Sequence, residues 1–143
     1  MEHRGRIVDV ARTTLGTPFH HQARLPCVGI DCVGVVIYVG RKLELIAEGF
    51  DFKGYSRSAD GVTLLAECDR HMVRIKRADL QPGDVIALRY VHEPQHLAIV
   101  GDYVHGGLSM IHADARIGRV VEHRIYESHE RRIKACFRMP GVE

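Results

Sequence analysis

The sequence predicts an α+β domain in which N-terminal helices pack on a central antiparallel sheet of about five strands. Helical periodicity is confined to the first half of the chain, and short β-branched, apolar segments fill the second half. The connections between those segments are too short for helical crossovers, so neighbouring strands are expected to be antiparallel. A chain of 143 residues suits one core, and residues 1–143 are expected to form a single domain.

Three helices are expected before the sheet. The first covers Arg6–Leu15, where apolar positions recur on one face and Gly16-Thr17-Pro18 follows as a stop signal. The second runs from Cys32 to near Gly49, and the third covers Val62–His71. Two segments are expected to be loops, namely Pro18–Ile30 and the stretch around Gly54-Tyr55-Ser56.

The turn signal Leu80–Asp84 introduces the strands. They are predicted, from their β-branched and apolar content, at Val85–Tyr90, Gln95–Asp102, Leu108–Ala113, Arg119–Arg124 and Ile133–Arg138.

Composition excludes several classes of function. The net charge of +2 is too small to predict a nucleic-acid surface, and no apolar run is long enough to predict membrane insertion. The first 16 residues lack the apolar region of a secretory signal, so synthesis in the cytoplasm is expected. The cysteines, Cys27, Cys32, Cys68 and Cys136, lack the paired spacing of a disulfide framework and predict free thiols in a reducing compartment.

A cysteine at a helix start is the first candidate for chemistry. Asp31 is a good N-cap residue because its carboxylate accepts hydrogen bonds from the N–H groups of a first helical turn. Cys32 then occupies the first helical position, where the helix dipole favours the thiolate, the form that attacks carbonyl carbon. Cys32 could equally be a small buried apolar residue, and these residues alone leave both interpretations open.

Two of the ten histidines stand within apolar strands. His96 shares a strand face with Ala98 and Val100, whose small side chains are expected to let the Cys32 helix pack closely on that face. His112 lies inside the next strand, and two such histidines beside a helix-start cysteine are hard to explain as packing alone. Four others lie among charges and are expected to be solvated surface residues: His3, His71, His123 and His129.

Strand register decides whether the two strand histidines meet. Facing residues on an antiparallel pair have a constant sum of residue numbers, and His96 and His112 share a face only when that sum is even. A two-residue turn at Gly106-Gly107 would pair His105 with Leu108 and separate the histidines. We therefore predict a longer or shifted turn, or a β-bulge.

In sequence, spacing and order, five segments together resemble the NlpC/P60 family of papain-like cysteine peptidases. They are Leu15-Gly16-Thr17-Pro18-Phe19, Asp31-Cys32-Val33-Gly34-Val35-Val36, Leu80-Gln81-Pro82-Gly83-Asp84-Val85, His96-Leu97-Ala98-Ile99-Val100 and Met110-Ile111-His112-Ala113. The loop Phe19-His20-His21-Gln22 and the chain length most resemble the phage-associated branch found in tail-assembly proteins and gene transfer agents.

The resemblance implies a papain-like fold and a triad of Cys32 as nucleophile, His96 as base and His112 as the residue that orients the base. The implied substrate is the peptidoglycan stem peptide, cut between D-glutamate and a diamino acid, with no cofactor and no metal. Phage tail proteins are the implied partners. The set assigned to oxyanion or substrate binding is Gln22, His21, Phe19 and Asp31.

Two positions depart from the family pattern. Many members carry a tyrosine where Phe19 stands, so Gln22 or His21 would have to replace its hydroxyl. Many also carry a serine where Val33 stands.

Three rival interpretations remain open at this stage. Cys27, Cys32, His20 and His21 could bind zinc, although the spacing of the two cysteines is not that of a structural site. The chain could instead be a tail-assembly or cell-wall-binding module with a vestigial site. The same nucleophile could also serve an amidase or an acyltransferase. A redox bond between Cys27 and Cys32 is a further alternative.

Overall fold

A computed structural model describes residues 2–46, 63–90 and 96–143. The elements in chain order are α1 (Glu2–Arg12), β1 (Arg24–Leu25), β2 (Gly29–Ile30), α2 (Cys32–Lys42), α3 (Thr63–His71), β3 (Val73–Ile75), a 3₁₀ turn (Arg77–Asp79), β4 (Val85–Leu88), β5 (His96–Asp102), β6 (Leu108–Asp114), β7 (Arg119–Arg124), α4 (Glu127–Glu130) and β8 (Ile133–Arg138). The loop predicted around Gly54-Tyr55-Ser56 lies outside the described residues.

The main sheet confirms the predicted α+β class and antiparallel pairing. Its strand order is β3-β8-β4-β5-β6-β7, and every neighbouring pair is antiparallel. The sheet has six strands where about five were predicted, because β3 adds a short strand beside β8. Val73 and Arg74 of this short edge strand are exposed, so it lacks the alternating burial that marks a strand in sequence.

Alternating side chains divide the core between the two faces of the sheet. One face carries Leu97, Ile99 and Ile111 and is covered by α1 and α2. The opposite face carries a second apolar cluster, made of Leu80, Ile86, Leu88, Ala98, Val100, Met110 and Cys136. The prediction that α2 packs on Ala98 and Val100 was wrong, since these residues belong to the face that α2 does not cover.

Helix α2 ends at Lys42 rather than near Gly49. Glu44 adopts a left-handed backbone with φ of 58°, and the Leu45 N–H donates to the Gly40 carbonyl at 2.7 Å. This is a Schellman ending, in which an apolar residue after the turn folds back on the last helical turn. Ile46 packs on Gly40 in that way, which explains why its spacing imitates a continuing helix.

The segment predicted as an irregular loop, residues 18–30, contains the small β1–β2 hairpin and is tied to the rest of the fold. Phe19 forms a parallel bridge with Ile30, and its N–H donates to the Gly118 carbonyl at 2.8 Å. The Cys27 N–H donates to the Thr17 hydroxyl at 2.8 Å. These bonds hold the loop against both the start of α2 and the β6–β7 turn.

None of the helices in the described parts of the chain is both long enough and apolar enough to cross a bilayer.

Candidate active site

Asp31 caps the helix that begins at Cys32, as the sequence predicts. Its backbone is extended, with φ of −115°, and its Oδ1 accepts the Gly34 N–H at 2.8 Å. The same oxygen accepts from Arg24 Nη1 at 2.8 Å. This arrangement satisfies a first-turn donor of α2 and leaves Cys32, only 5% exposed, at the first helical position.

The second carboxylate oxygen of Asp31 anchors the preceding loop. It accepts the Gln22 N–H at 2.6 Å, and Gln22 has a left-handed backbone with φ of 62°. A non-glycine residue in this region is uncommon and is held there by its surroundings. Both oxygens of Asp31 bond protein donors and its side chain is 2% exposed, so the residue anchors the preceding loop to the start of the helix.

Gly34 lets the loop approach α2 closely. A Cβ atom at this position would lie 2.5 Å from the Ala23 carbonyl oxygen and 2.7 Å from Ile30 Cγ1. Only a residue without a side chain therefore fits at position 34, in the first turn of α2. The loop and the helix start form one close-packed unit around Cys32.

His96 and His112 meet on neighbouring strands. His96 Nε2 and His112 Nδ1 are 2.7 Å apart, the two rings are nearly perpendicular, and the residues are only 1% and 2% exposed. The register pairs Asp102 with Leu108, so the turn is longer than Gly106-Gly107 and the facing residue numbers add to an even total. The predicted longer turn is confirmed, and the histidines share a face.

The hydrogen-bond chain continues to a third histidine. His112 Nε2 lies 2.8 Å from His123 Nε2, and His123 Nδ1 lies 2.9 Å from the Arg124 carbonyl oxygen. The prediction that His123 and His129 are solvated surface residues was wrong, since both are partly buried and their ring centroids are 4.7 Å apart. The β6–β7 register, which places His112 opposite Val121, brings His123 diagonally beside His112.

His112 is a neutral imidazole at any working pH. Burial, followed by the neighbouring rings of His96, His123 and His129, lowers its pKa to about 2. A charged His112 would lose hydration and face other imidazoles, and both effects disfavour the protonated form. The central ring of the chain therefore serves as one donor and one acceptor, never as two donors.

A cleft of about 420 Å³ opens beside the three histidines. Its other lining residues are Tyr90, Asp114, Arg116, Ile117 and His129. A volume of this order accommodates a small ligand or a few residues of a peptide. Arg116 and Asp114 bring charges of both signs to its lining.

Cys32 lies on the helix-covered side of the sheet. It belongs to the same apolar cluster as Leu97 and Ala113, the residues that directly follow His96 and His112 in their strands. His96 is the first residue of β5, and its side chain alternates to the other face with Ala98.

The other predicted site residues lie in the loop before α2. Phe19 is partly buried against the first cluster, His21 and Gln22 are partly exposed, and His20 is exposed. Cys27 is exposed whereas Cys32 is buried, and both are free thiols. Among the described residues, no group of three His, Cys, Asp or Glu side chains has the geometry to hold a metal ion.

The two remaining cysteines, Cys68 and Cys136, are also buried. Burial raises the pKa of Cys68 to about 12 and also raises that of Cys136. These thiols are therefore expected to stay protonated at neutral pH.

A family model described as the NlpC/P60 family matches residues 16–138. No curated protein matches the chain significantly. Among solved structures, the NlpC/p60 domain of the peptidoglycan hydrolase SagA is 21% identical, with a TM-score of 0.63 over 95% of this chain and 98% of its own. NlpC1 from Trichomonas vaginalis is 20% identical, with a TM-score of 0.66 over 99% of this chain but only 45% of its own.

A third similar structure is that of an N-acetylmuramoyl-L-alanine amidase from Bacteroides uniformis. It is 13% identical, with a TM-score of 0.57 over 97% of this chain and 99% of its own. Similarity at these levels of identity shows a shared fold.

Proposed function

Because this chain belongs to the NlpC/P60 family, we propose that it is a cell-wall hydrolase that cuts peptide bonds in the peptidoglycan stem. One observation carries the proposal: two buried histidines on neighbouring strands are joined by a 2.7 Å hydrogen bond, and α2, which contacts both of those strands, begins at Cys32. Burying two imidazoles away from water costs free energy. A catalytic base that needs a second residue to orient it accounts for such a pair. The roles are Cys32 as nucleophile, His96 as base and His112 as orienting residue.

The proposed reaction is acyl transfer through a thioester. His96 takes the proton of Cys32, and the sulfur forms a bond to the scissile carbonyl carbon while the π electrons move to oxygen. Collapse of this intermediate breaks the C–N bond, and His96 gives its proton to the leaving amine. Water, deprotonated by His96, then attacks the thioester and releases the new carboxylate and the thiol. His112 keeps the ring of His96 oriented through both steps.

The start of α2 supplies the electrostatic part of the proposal. Backbone N–H groups of a helix's first turn point at the place where the tetrahedral oxygen would form, and the dipole favours negative charge there. Asp31 accepts the Gly34 N–H, so the groups left for the oxyanion are those nearest the cysteine, including the N–H of Cys32 itself. The Asp31 anchor thereby fixes the geometry of the oxyanion site.

The loop before α2 is the proposed substrate-facing wall. Phe19 has no hydroxyl, and Gln22 is a polar residue whose backbone N–H is bonded to Asp31 at the helix start. We assign to Gln22, with His21 as its alternative, the donor role that a tyrosine hydroxyl fills in many family members. The bond that we propose is cut, between D-glutamate and a diamino acid, is taken from the family resemblance.

Mass spectrometry of digested muropeptides tests the proposed function. The wild-type protein should release fragments cut within the stem peptide, and Cys32→Ala should release none. Cys68→Ala is the matched control, because it removes a buried thiol that lines a different pocket from His96 and His112, and it should retain activity. If Cys32→Ala cuts as well as wild type, the nucleophile assignment is refuted. If the wild-type protein binds peptidoglycan without cutting it, the binding-module alternative replaces the proposal.

An amidase is the second candidate, because one protein of this fold is an N-acetylmuramoyl-L-alanine amidase. The same digest distinguishes the two reactions. A peptidase that cuts after D-glutamate leaves the stem up to and including that residue on the sugar, whereas an amidase frees the whole stem from the sugar.

The delivery route is proposed from the resemblance of the loop Phe19-His20-His21-Gln22 to the phage-associated branch. We propose synthesis in the cytoplasm and incorporation into a virion tail through tail-protein partners. Proteomics of purified virions tests this. Recovery of the protein with tail components supports the route, and its absence from virions while it accumulates in lysates refutes it.

A further inference from the structure

We propose that His123 is a positioning residue that fixes which ring nitrogen of His96 acts as the base, through a chain of three imidazoles. The inference rests on the proposed function only for its kinetic consequence, since the chain itself is a structural feature. Its links are His96 Nε2 to His112 Nδ1 at 2.7 Å, His112 Nε2 to His123 Nε2 at 2.8 Å, and His123 Nδ1 to the Arg124 carbonyl at 2.9 Å.

The carbonyl at the end of the chain determines the direction of every link. A carbonyl oxygen only accepts, so His123 Nδ1 must carry a proton. Neutral His123 then presents the lone pair of Nε2, and His112 must donate to it from its own Nε2. Neutral His112 presents the lone pair of Nδ1, so His96 donates from Nε2. The remaining lone pair of His96 therefore falls on Nδ1.

This direction suits both protonation states of the base. When His96 gains a proton on Nδ1 during the reaction, its Nε2–H still donates to His112, and no other proton in the chain has to move. His112 stays neutral throughout, because burial and its imidazole neighbours keep its pKa far below the working range. The chain orients the base without serving as a proton wire.

Loss of the third imidazole would remove the directional constraint. Without an acceptor at position 123, His112 could hold its proton on Nδ1 and donate to His96 Nε2. His96 would then carry its proton on Nδ1, the nitrogen that has to be basic. The tautomers are biased by one hydrogen bond between neutral groups, which corresponds to a population ratio of roughly tenfold.

The surroundings of His123 also allow a purely structural role. Its ring is parallel to that of Tyr126, with centroids 6.5 Å apart, and contacts His129. Asp114, Arg116 and His129 share the cleft with the chain, so their charges also act on it. The decisive experiment must therefore separate loss of the acceptor from loss of the ring.

Two substitutions make that separation. His123→Phe keeps an aromatic ring of similar shape and removes the acceptor, whereas His123→Gln removes the ring and keeps an oxygen acceptor. We expect His123→Phe to lower kcat about twofold at unchanged KM, because the fraction of His96 in the competent tautomer falls from roughly nine tenths to about half, and His123→Gln to retain most of the wild-type kcat. His105→Phe, in the exposed β5–β6 turn, is the control for a generic loss of histidine. Thermal unfolding of each variant confirms that it is folded.

Nitrogen NMR of protein labelled in its histidines reads the tautomer directly. In the neutral form of His96, the wild-type protein should hold the proton on Nε2 and none on Nδ1; in His123→Phe a substantial fraction of the neutral ring should hold it on Nδ1. This readout is independent of catalysis, so a wild-type protein that cuts nothing would refute the proposed function without deciding this one. An unchanged His96 tautomer in His123→Phe, or a fall in activity carried by KM alone, overturns the positioning role.

Discussion

Removal of the Asp31 carboxylate should destabilise the start of α2 more than any surface substitution would. Asp31→Ala deletes the acceptor of the Gly34 N–H, the acceptor of the Gln22 N–H and the partner of Arg24. Loss of an N-cap costs about 1 kcal/mol. Breaking a buried ion pair costs about 3–5 kcal/mol, and the Arg24 side chain is only 11% exposed.

These contributions share one side chain and do not add. We therefore expect Asp31→Ala to lower the free energy of unfolding by about 3–5 kcal/mol. Asp31→Ser keeps a cap acceptor but is too short for the other two contacts, so it should be about 1 kcal/mol more stable than the alanine variant. Equilibrium denaturation in urea measures both values from the shift in midpoint at constant slope.

Asp102→Ala is the matched control. Asp102 also pairs with an arginine, Arg12, but its side chain is 72% exposed. An exposed pair contributes no more than about 1 kcal/mol. If Asp31→Ala costs as little as Asp102→Ala, the carboxylate is not the anchor that holds the loop on the helix, and the reasoning about the oxyanion site is refuted with it.

Three further predictions concern stability. Asp84→Ala should lower the free energy of unfolding by about 3–5 kcal/mol, because this fully buried carboxylate accepts from the guanidinium groups of Arg4 and Arg138. A melting temperature near that of wild type would contradict this prediction. Gly34→Ala should lower the free energy of unfolding by about 1–3 kcal/mol, because the added methyl group overpacks the contact with the loop. Urea denaturation measures this, and an unchanged midpoint would show that the loop moves to make room. The unfolded state protonates His112 below its ordinary pKa of 6.5 while the folded state resists until about 2. Stability should therefore fall with falling pH, by about 1.4 kcal/mol per pH unit for this proton, and His112→Asn should remove that share of the slope.

The start of α2 and the last two strands could be predicted from sequence because their signals are local. Asp31 is an N-cap residue directly before an apolar run, and the helix begins where that pattern places it. β7 and β8 have the predicted bounds, Arg119–Arg124 and Ile133–Arg138. Short segments rich in β-branched and apolar residues, bounded by turn signals, show where a strand begins and ends.

The end of α2 could not be read from periodicity, because a folded-back residue imitates the next turn of a helix. Ile46 packs on Gly40 after the chain has turned at Glu44. α1 likewise covers Glu2–Arg12 rather than Arg6–Leu15, since the hydroxyls of Thr13 and Thr14 bond the Val10 and Ala11 carbonyls at its end.

The sequence did not predict the position of His123, because that position depends on both the β5–β6 and the β6–β7 register. His123 neighbours charged residues in sequence, which is typical of a solvated face. Only the pairing of Met110 with His123 across β6 and β7 places its ring beside His112. The signal available in the sequence is the same parity rule that applies to His96 and His112, extended across the turn at residues 115–118. The face covered by α2 was also mispredicted, because small side chains at Ala98 and Val100 fit either face of the sheet.

The central claim is that the imidazole of His96 activates the sulfur of Cys32, and the alkylation rate of that cysteine tests it most directly. Mass spectrometry of peptides after brief iodoacetamide treatment at pH 6.5 reports each of the four cysteines separately. We predict that Cys32 reacts faster than the exposed Cys27 in the wild-type protein, and that His96→Gln removes this advantage while leaving Cys27 unchanged. Equal alkylation rates of Cys32 in wild type and His96→Gln would contradict the account.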